Sequence, residues 1–281
     1  MIRLAVRVRR ADAEIVLAEL LTLAPAGVEE VDISGDVVEY AVYGAPGELP
    51  ALPDLRAVAG GALVEVLTSE VADDWDQRWR SFHRPLVLGG GRLGVRPPWE
   101  PPPAGVGIDL VIDPGQAFGT GAHATTRLCL ELMLGLAGAG SGSGEFLDLG
   151  CGSGVLAIAA ARLGWAPVRA VDFDPLAVEA TAANARVNGV SIAVGRHDLR
   201  TDPVVVAPTM AANLLRPLLL TWASRLAGAA ELPQRLIASG LLVGEADEIA
   251  GAFAAAGLRE VTRRESGDWA ALLLSSAIPS A

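Results

Sequence analysis

The stretch that decides the fold is Asp148-Leu149-Gly150-Cys151-Gly152-Ser153-Gly154. It lies between a predicted strand, Phe146–Leu149, and a predicted helix, Val155–Leu163. Glycines at such a junction allow a tight turn and bring backbone N–H groups close to a ligand. A dinucleotide-binding turn has the spacing G-x-G-x-x-G, which would require glycine at position 155, where this chain has Val155. The turn therefore disfavours a nicotinamide oxidoreductase.

The glycine spacing indicates S-adenosylmethionine as the ligand. Gly150, Gly152 and Gly154 follow an acidic residue in the pattern G-x-G-x-G. This pattern suits a ligand whose methionine half carries an ammonium and a carboxylate rather than a pyrophosphate. Asp172 ends the next predicted strand, 18 residues after Gly154, where a carboxylate can accept both ribose hydroxyl hydrogens. A further candidate is Asp198, which follows the third strand, where such folds often contact adenine.

The pattern that follows the first hundred residues predicts an α/β fold. From about residue 104, strands and helices alternate, which favours a parallel sheet covered by helices. The predicted helix Asp174–Asn188 has Pro175 in its first turn, and Asp174 is predicted to cap it. The chain ends in two strand-like runs, Arg259–Glu265 and Trp269–Leu274. A parallel sheet finished by such a hairpin is the Rossmann-like, seven-stranded layout of a class I methyltransferase.

Residues 1–68 form a separate region with its own periodicities. Strand and helix patterns follow one another in the order βαββαβ, with helices predicted over Ala11–Ala24 and Leu49–Ala59. This order predicts a small ferredoxin-like α+β domain. Because it holds no evident catalytic constellation, we interpret it as a substrate-recognition or docking domain.

Residues 69–103 are predicted to link this small domain to a catalytic domain over residues 104–281. Aromatic residues at helical spacing share one face of a short helix, which we interpret as packing between domains. They are Trp75, Trp79 and Phe82. A hairpin is predicted around Gly89-Gly90-Gly91, and a proline-rich run marks the boundary that follows.

The composition disfavours several classes of protein. All 22 basic residues are arginine, against 33 acidic residues, and the net charge of −11 disfavours a protein that grips a nucleic-acid backbone. Cys129 and Cys151 lie in unrelated contexts, and the three histidines are scattered, so neither a disulfide framework nor a metal site is predicted. No apolar run reaches the roughly 18 residues that cross a bilayer. We expect a soluble, cytoplasmic protein without a metal.

Three motifs together resemble one family of bacterial methyltransferases. They are the run Asp113-Pro114-Gly115-Gln116-Ala117-Phe118-Gly119-Thr120-Gly121-Ala122-His123-Ala124-Thr125-Thr126, the glycine turn, and Asn213-Leu214-Leu215. The family modifies the eleventh protein of the large ribosomal subunit. The resemblance extends from the region of Asp74 to the C-terminus and is weaker over residues 1–68. It implies trimethylation of lysine side chains and of the N-terminal amine of that ribosomal protein.

The resemblance also implies which residues contact the cofactor. By position they are Thr126, Gly150, Asp172 and Asn213, and the segment Phe118–Thr120 (Phe118, Gly119 and Thr120) matches one that covers the bound cofactor in relatives. The family usually has His-Pro where this chain has His123-Ala124, which should loosen the turn without removing a functional group. The small N-terminal domain is short for the family. This shortness bears on the identity of the substrate more than on the chemistry.

Methyl transfer from a sulfonium needs a neutral amine, and Asn213 is the candidate catalytic residue. It lies at the end of the fourth predicted strand, where its side-chain carbonyl can accept an N–H from the amine or hold the cofactor. No general base is obligatory. His123 is either such a base or a structural residue. Cys151, inside the glycine turn, is interpreted as a small packing residue.

Other functions use the same fold. A methyltransferase acting on nucleic acid or on a release factor would carry an aromatic residue shortly after the asparagine, whereas Asn213 is followed by Leu214-Leu215-Arg216-Pro217. Another cytosolic protein as substrate, or a non-catalytic docking protein with a vestigial pocket, remain alternatives. We expect a monomer that acts on the free ribosomal protein, without binding membrane or nucleic acid.

Overall fold

The computed structural model describes residues 2–13, 16, 17, 20, 28–44, 60–70, 84–114, 123–140 and 142–276. The chain divides into two compact units, Met1–Phe82 and His83–Ala281. The helix predicted over Leu49–Ala59 and the aromatic helix of the predicted linker lie outside the described residues.

The smaller unit contains a four-stranded antiparallel sheet. Its strands are β1 (Ile2–Arg9), β2 (Glu29–Ser34), β3 (Val37–Gly44) and β4 (Leu63–Glu70), in the order β2-β3-β1-β4. β1 pairs with both β3 and β4. Described residues between β1 and β2 are helical at positions 13, 16, 17 and 20, within the helix predicted over Ala11–Ala24. This strand order is the ferredoxin-like arrangement that the sequence predicts.

The core of the smaller unit follows two periodicities. Side chains at every second position of β1 lie on one face of the strand, and helical residues three and four positions apart lie on one face of the helix. These two faces form one buried cluster. The cluster includes Leu4, Val6, Val8, Ala13, Val16 and Leu20. The intervening residues of β1 lie on the other face of the sheet, where Arg3 and Arg7 both donate hydrogen bonds to Glu39 of β3.

Glu39 should stabilise the smaller unit in a pH-dependent way. Burial raises the pKa of this carboxyl, but the hydrogen bonds from Arg3 and Arg7 outweigh burial and lower it. Because the folded pKa lies below the unfolded one, the stabilisation is present above the unfolded pKa and is lost as pH falls through the folded pKa. We expect Glu39→Gln to reduce the free energy of opening of β1 and β3 by about 2 kcal/mol at pH 7.

Hydrogen exchange of the β1 and β3 amides, corrected for intrinsic rates, measures this difference. Glu65→Gln is the matched control, because Glu65 also pairs with Arg7 at 2.7 Å but its side chain is 47% exposed. Its removal should change the free energy of opening by less than about 0.5 kcal/mol. A Glu39→Gln variant indistinguishable from Glu65→Gln, or an effect that persists unchanged at low pH, would contradict the assignment.

The larger unit begins with a small three-stranded sheet. Its strands are β5 (Leu86–Leu88), β6 (Leu93–Arg96) and β7 (Ile108–Val111). β5 and β6 form an antiparallel hairpin around Gly89–Gly91, and β6 pairs in parallel with β7. Leu88, Leu93 and Leu110 belong to a core cluster of the larger unit. Residues of the predicted linker thus take part in the larger unit.

A seven-stranded sheet forms the centre of the larger unit. Its strands are β8 (Phe146–Leu149), β9 (Val168–Asp172), β10 (Ala193–Arg196), β11 (Thr209–Asn213), β12 (Arg235–Leu242), β13 (Arg259–Ser266) and β14 (Trp269–Ser275). Their order is β10-β9-β8-β11-β12-β14-β13, and only β14 runs antiparallel to both of its neighbours. The predicted parallel sheet with a terminal hairpin is confirmed.

Helices and two core clusters complete the larger unit. The helices are α1 (Ala124–Gly138), α2 (Val155–Leu163), α3 (Pro175–Val187), α4 (Arg216–Leu226) and α5 (Ala246–Ala255). Phe146 belongs to one core cluster and the next residue, Leu147, to the other, since successive side chains of a strand point to opposite faces. The sheet is therefore buried on both sides, which leaves the carboxyl ends of its parallel strands as the place for a ligand.

Candidate active site

The glycine turn at the end of β8 leads directly into α2. Gly150, Gly152 and Gly154 have φ angles of +79°, +52° and +83°, a region that favours glycine. At Gly150 a Cβ would also lie 2.3 Å from Cδ2 of Leu214, the residue that follows β11. The backbone conformation therefore favours glycine here, and any side chain would also require the Leu214 side chain to move.

Asp172 lies at the end of β9, beside the glycine turn. Its Oδ2 accepts a hydrogen bond from the Gly152 N–H at 3.0 Å, and its Oδ1 accepts one from the Asp174 N–H at 3.1 Å. The side chain is nearly buried, and each carboxylate oxygen keeps a further lone pair for a ligand hydroxyl. Asp174 accepts the Leu176 N–H at 2.9 Å, so its predicted role as the cap of α3 is confirmed.

Asp148 is a buried carboxyl in β8, two residues before the first glycine of the turn, and it is not among the predicted site residues. Its Oδ2 accepts the Ala157 N–H at 3.0 Å, whereas its Oδ1 has no hydrogen-bond partner among the described residues. Burial raises its pKa to about 7, against the effect of the Ala157 N–H, and the charge of Asp172 adds to the rise. The signal was present in the sequence as the acidic residue that precedes the first glycine.

Asn213, the last residue of β11, lies against α1. Its Nδ2 donates a hydrogen bond to Oγ1 of Thr126, a fully buried residue, at 3.3 Å. Its Oδ1 is buried and has no partner among the described residues. A buried acceptor without a donor is unfavourable, so this oxygen is a position where a ligand N–H or O–H would be stabilised.

The backbone at Asn213 is shaped by a bulge in the neighbouring strand. Gly240 in β12 has a φ of +86°, and a Cβ there would lie 2.4 Å from the carbonyl oxygen of Leu214. The Leu214 N–H donates to the Ser239 carbonyl at 2.9 Å. Sequence reasoning missed Gly240, although a lone glycine inside a strand is a known sign of a bulge or of a close backbone approach.

His123 and Cys151 have structural contacts. His123 is the N-cap of α1, its Nδ1 accepts the Thr125 N–H at 3.4 Å, and its ring meets that of Trp269 edge-on at 4.7 Å. Burial lowers its pKa, which favours the neutral ring. The Thr181 hydroxyl oxygen lies 3.2 Å from the sulfur of Cys151, and burial raises the pKa of this thiol. The packing interpretation of Cys151 therefore agrees with the structure.

Asp198 lies just beyond β10, next to the strand that carries Asp172. The His197 N–H donates to the Asp172 carbonyl at 2.8 Å, so the two strand ends are directly joined. Both carboxylate oxygens of Asp198 accept hydrogen bonds from the Arg200 guanidinium at 2.9 Å. These hydrogen bonds lower the pKa of Asp198 to about 2. Phe118, Gly119 and Thr120, the other predicted cofactor contacts, lie outside the described residues.

Two side chains of α3 also contact the turn, and sequence reasoning missed both. The Thr181 hydroxyl donates to the Gly152 carbonyl at 3.0 Å, and the Asn184 amide donates to the Ser153 carbonyl at 2.9 Å. Within the part of the chain that the structure describes, no cluster of His, Cys, Asp and Glu could hold a metal ion. None of the described helices is long and apolar enough to cross a membrane.

The strand order and this site define a class I S-adenosylmethionine-dependent methyltransferase. The residues present fit that cofactor. The three turn glycines have backbone conformations that favour glycine, the Asp172 carboxylate has lone pairs left for hydroxyl donors, and Oδ1 of Asn213 has no partner among the described residues. The family model of the ribosomal protein L11 methyltransferases (PrmA) matches residues 55–276, and the chain belongs to this family.

Individual relatives agree with this assignment. A ribosomal protein L11 methyltransferase of Pelotomaculum thermopropionicum is 42% identical over 242 residues, which cover 80% of this chain and 77% of the relative. One of Pseudomonas aeruginosa is 40% identical over 210 residues, covering 74% and 70%. The crystal structure of a ribosomal protein L11 methylase from Lactobacillus delbrueckii subsp. bulgaricus has a TM-score of 0.60 and 31% identity, over 69% of this chain and 98% of that one.

Proposed function

We propose that this chain transfers methyl groups from S-adenosylmethionine to lysine side-chain and N-terminal amines of ribosomal protein L11. The observation that carries the proposal is the buried Oδ1 of Asn213, which has no partner among the described residues. It lies at the same edge of the sheet as the glycine turn and Asp172. The names of relatives at 42% and 40% identity support the choice of substrate.

The amine must lose a proton before it can attack. When bound, S-adenosylmethionine supplies a methyl group activated by a sulfonium. A lysine side chain has a pKa of about 10.4 and an N-terminal amine one of about 7.7–8.0, so deprotonating lysine at pH 7 costs roughly 3 kcal/mol more. Desolvation in the site would lower the pKa of the ammonium and reduce this cost.

Asn213 is proposed as the catalytic residue that orients the neutral amine. Because Thr126 holds the Nδ2 end of the amide, the Oδ1 end is left to accept an N–H from the substrate. A hydrogen bond from the amine N–H to this oxygen would fix the direction of the nitrogen lone pair relative to the methyl group. Correct alignment of the reacting atoms lowers the barrier to transfer. Each transfer to the neutral amine leaves a methylated ammonium, which must lose its proton before the next transfer. Water can accept the proton each time, so the proposal needs no dedicated base.

The remaining predicted site residues are proposed to hold the cofactor. The glycines at 150, 152 and 154 would surround its methionine half, Asp172 would accept its ribose hydroxyls, and Asp198 would contact adenine. Thr126 and the segment Phe118–Thr120 are assigned to the cofactor by their match to the family. Each of these assignments is a proposal about a specific side chain.

The domain organisation is proposed to divide recognition from catalysis. Residues 1–68 would dock the ribosomal protein and residues 104–281 would bind the cofactor and carry out transfer. Residues 69–103 would connect the two, with the part from His83 onward belonging to the larger unit. The 1–68 region holds five arginines against eleven acidic residues, and this negative charge would attract a basic partner. We propose a cytoplasmic monomer that acts on free ribosomal protein L11.

Incubation with methyl-labelled S-adenosylmethionine tests the proposal. Parallel reactions contain purified ribosomal protein L11, intact ribosomes, or a ribosome-free extract, and peptide mass spectrometry locates the label. We expect methylated lysine and N-terminal amines on purified L11, with much less label on intact ribosomes. Label on a different protein of the extract, with none on L11, would overturn the proposed substrate. Absence of both label and cofactor binding would overturn the enzymatic function and favour a docking protein.

A further inference from the structure

Helix α3 and the residue that caps its C-terminus carry three buried polar side chains on one face. Thr181, Asn184 and Asn188 are spaced three and four residues apart, and their exposed fractions are 0%, 3% and 7%. Buried polar groups need hydrogen-bond partners, and the principal partners of these three lie outside α3. The proposed function does not use any of them.

The two asparagines pair with an extended segment as another strand would. Asn188 accepts the Val111 N–H at 2.9 Å and donates to the Val111 carbonyl at 2.7 Å. Asn184 accepts the Asp113 N–H at 3.0 Å and donates to the Asp113 carbonyl at 3.2 Å. The geometry permits this because four residues of helix rise about 6 Å, close to the roughly 6.6 Å between alternate residues of a strand. The side-chain amides of Asn184 and Asn188 therefore pair with the edge of β7 and with the backbone two residues beyond its end.

The second amide hydrogen distinguishes the two asparagines. Asn188 donates its second amide hydrogen to the backbone carbonyl of Asn184, one helical turn earlier, at 2.8 Å. Asn184 donates its own to the Ser153 carbonyl, inside the glycine turn, at 2.9 Å. The Thr181 hydroxyl holds the preceding carbonyl, that of Gly152, at 3.0 Å. Two consecutive peptide groups of the turn are thus fixed by α3.

We propose that Asn184 is a positioning residue for cofactor binding, because its one amide joins the glycine turn to the backbone of Asp113. The inference rests on the proposed role of the turn in holding S-adenosylmethionine. Without the Asn184 amide, the Ser153 carbonyl loses this hydrogen bond, and the turn is held less tightly at this peptide. Asn188 pairs with the same extended segment through equally many hydrogen bonds but does not reach the turn. The affinity for the cofactor should therefore depend on Asn184 and not on Asn188.

Matched variants separate positioning from general stability. Asn184→Ala and Asn188→Ala each remove a bidentate pairing with the strand, so their thermal unfolding midpoints should fall by similar amounts. The dissociation constant for S-adenosylhomocysteine, measured by calorimetry, should rise roughly tenfold for Asn184→Ala and less than about threefold for Asn188→Ala. With L11 as substrate, Asn184→Ala should raise the KM for S-adenosylmethionine more than it lowers kcat.

Two results would overturn the inference. If the dissociation constant changes equally in both variants, Asn184 has only a structural role. The same conclusion follows if the constant is unchanged in Asn184→Ala. If Asn184→Ala does not fold, the isosteric variants Asn184→Asp and Asn188→Asp are compared instead, and the same difference in the dissociation constant is expected. Aspartate keeps the acceptor oxygen but lacks both amide donors. Failure of the wild-type chain to bind S-adenosylhomocysteine would instead overturn the proposed function itself.

Discussion

Replacing Asp172 by alanine should weaken the binding of S-adenosylhomocysteine by roughly 100-fold or more, the loss expected for two hydrogen bonds to a charged acceptor. The carboxylate also holds the Gly152 N–H at 3.0 Å. The variant therefore loses both the proposed ribose acceptor and a contact that fixes the glycine turn. Calorimetric titration of the purified variant measures the loss directly, without depending on the protein substrate.

Asp174→Ala is the matched control for this experiment. Asp174 lies two residues further along and caps α3 through the Leu176 N–H. Its removal should cost about 1 kcal/mol of stability, the usual contribution of an N-cap. Cofactor affinity should stay within about threefold, because the backbone N–H of residue 174 still reaches Asp172. Equal affinity losses in the two variants would contradict a ribose-binding role for Asp172.

The central fold was predictable because its signals are local. The glycine spacing after β8, the proline in the first turn of α3 and the alternation of elements each depend on residues close together in sequence. The positions of Asp172 and Asn213 were also predictable, because each ends a predicted strand and parallel strands place their carboxyl ends at one edge of the sheet. The βαββαβ order likewise predicted the strand order of the smaller unit.

The contacts that shape the site were not predictable from sequence. Asn184 meets Asp113 across 71 positions of the chain, and a polar residue on a helix is usually interpreted as solvent-exposed. Gly240 acts through the strand beside it, so its role depends on strand order rather than on a motif. His123 was left between two roles, and only the geometry around Thr125 and Trp269 identifies it as a helix cap.

Asn213→Ala should lower kcat by roughly 100-fold while the dissociation constant for S-adenosylhomocysteine changes less than about threefold, because removal of a group that aligns the reacting atoms costs this much. The substitution removes Oδ1, the proposed acceptor for the amine, but leaves the glycine turn and Asp172 unchanged. Single-turnover methylation of purified L11 gives the rate, and calorimetry gives the affinity. Thr126→Val removes the hydroxyl that holds the amide and should lower kcat by a smaller factor.

Asn213→Asp tests the proposed contact with the amine more sharply. The substitution keeps an oxygen acceptor but adds a negative charge, and a carboxylate beside an ammonium stabilises its protonated form. The amine would then have a higher pKa, so the pH at which the methylation rate reaches half its maximum should move upward relative to the wild type. If Asn213→Ala instead weakens cofactor binding 100-fold with kcat unchanged, and Asn213→Asp leaves the pH profile in place, Asn213 holds the cofactor and the amine is oriented by other groups.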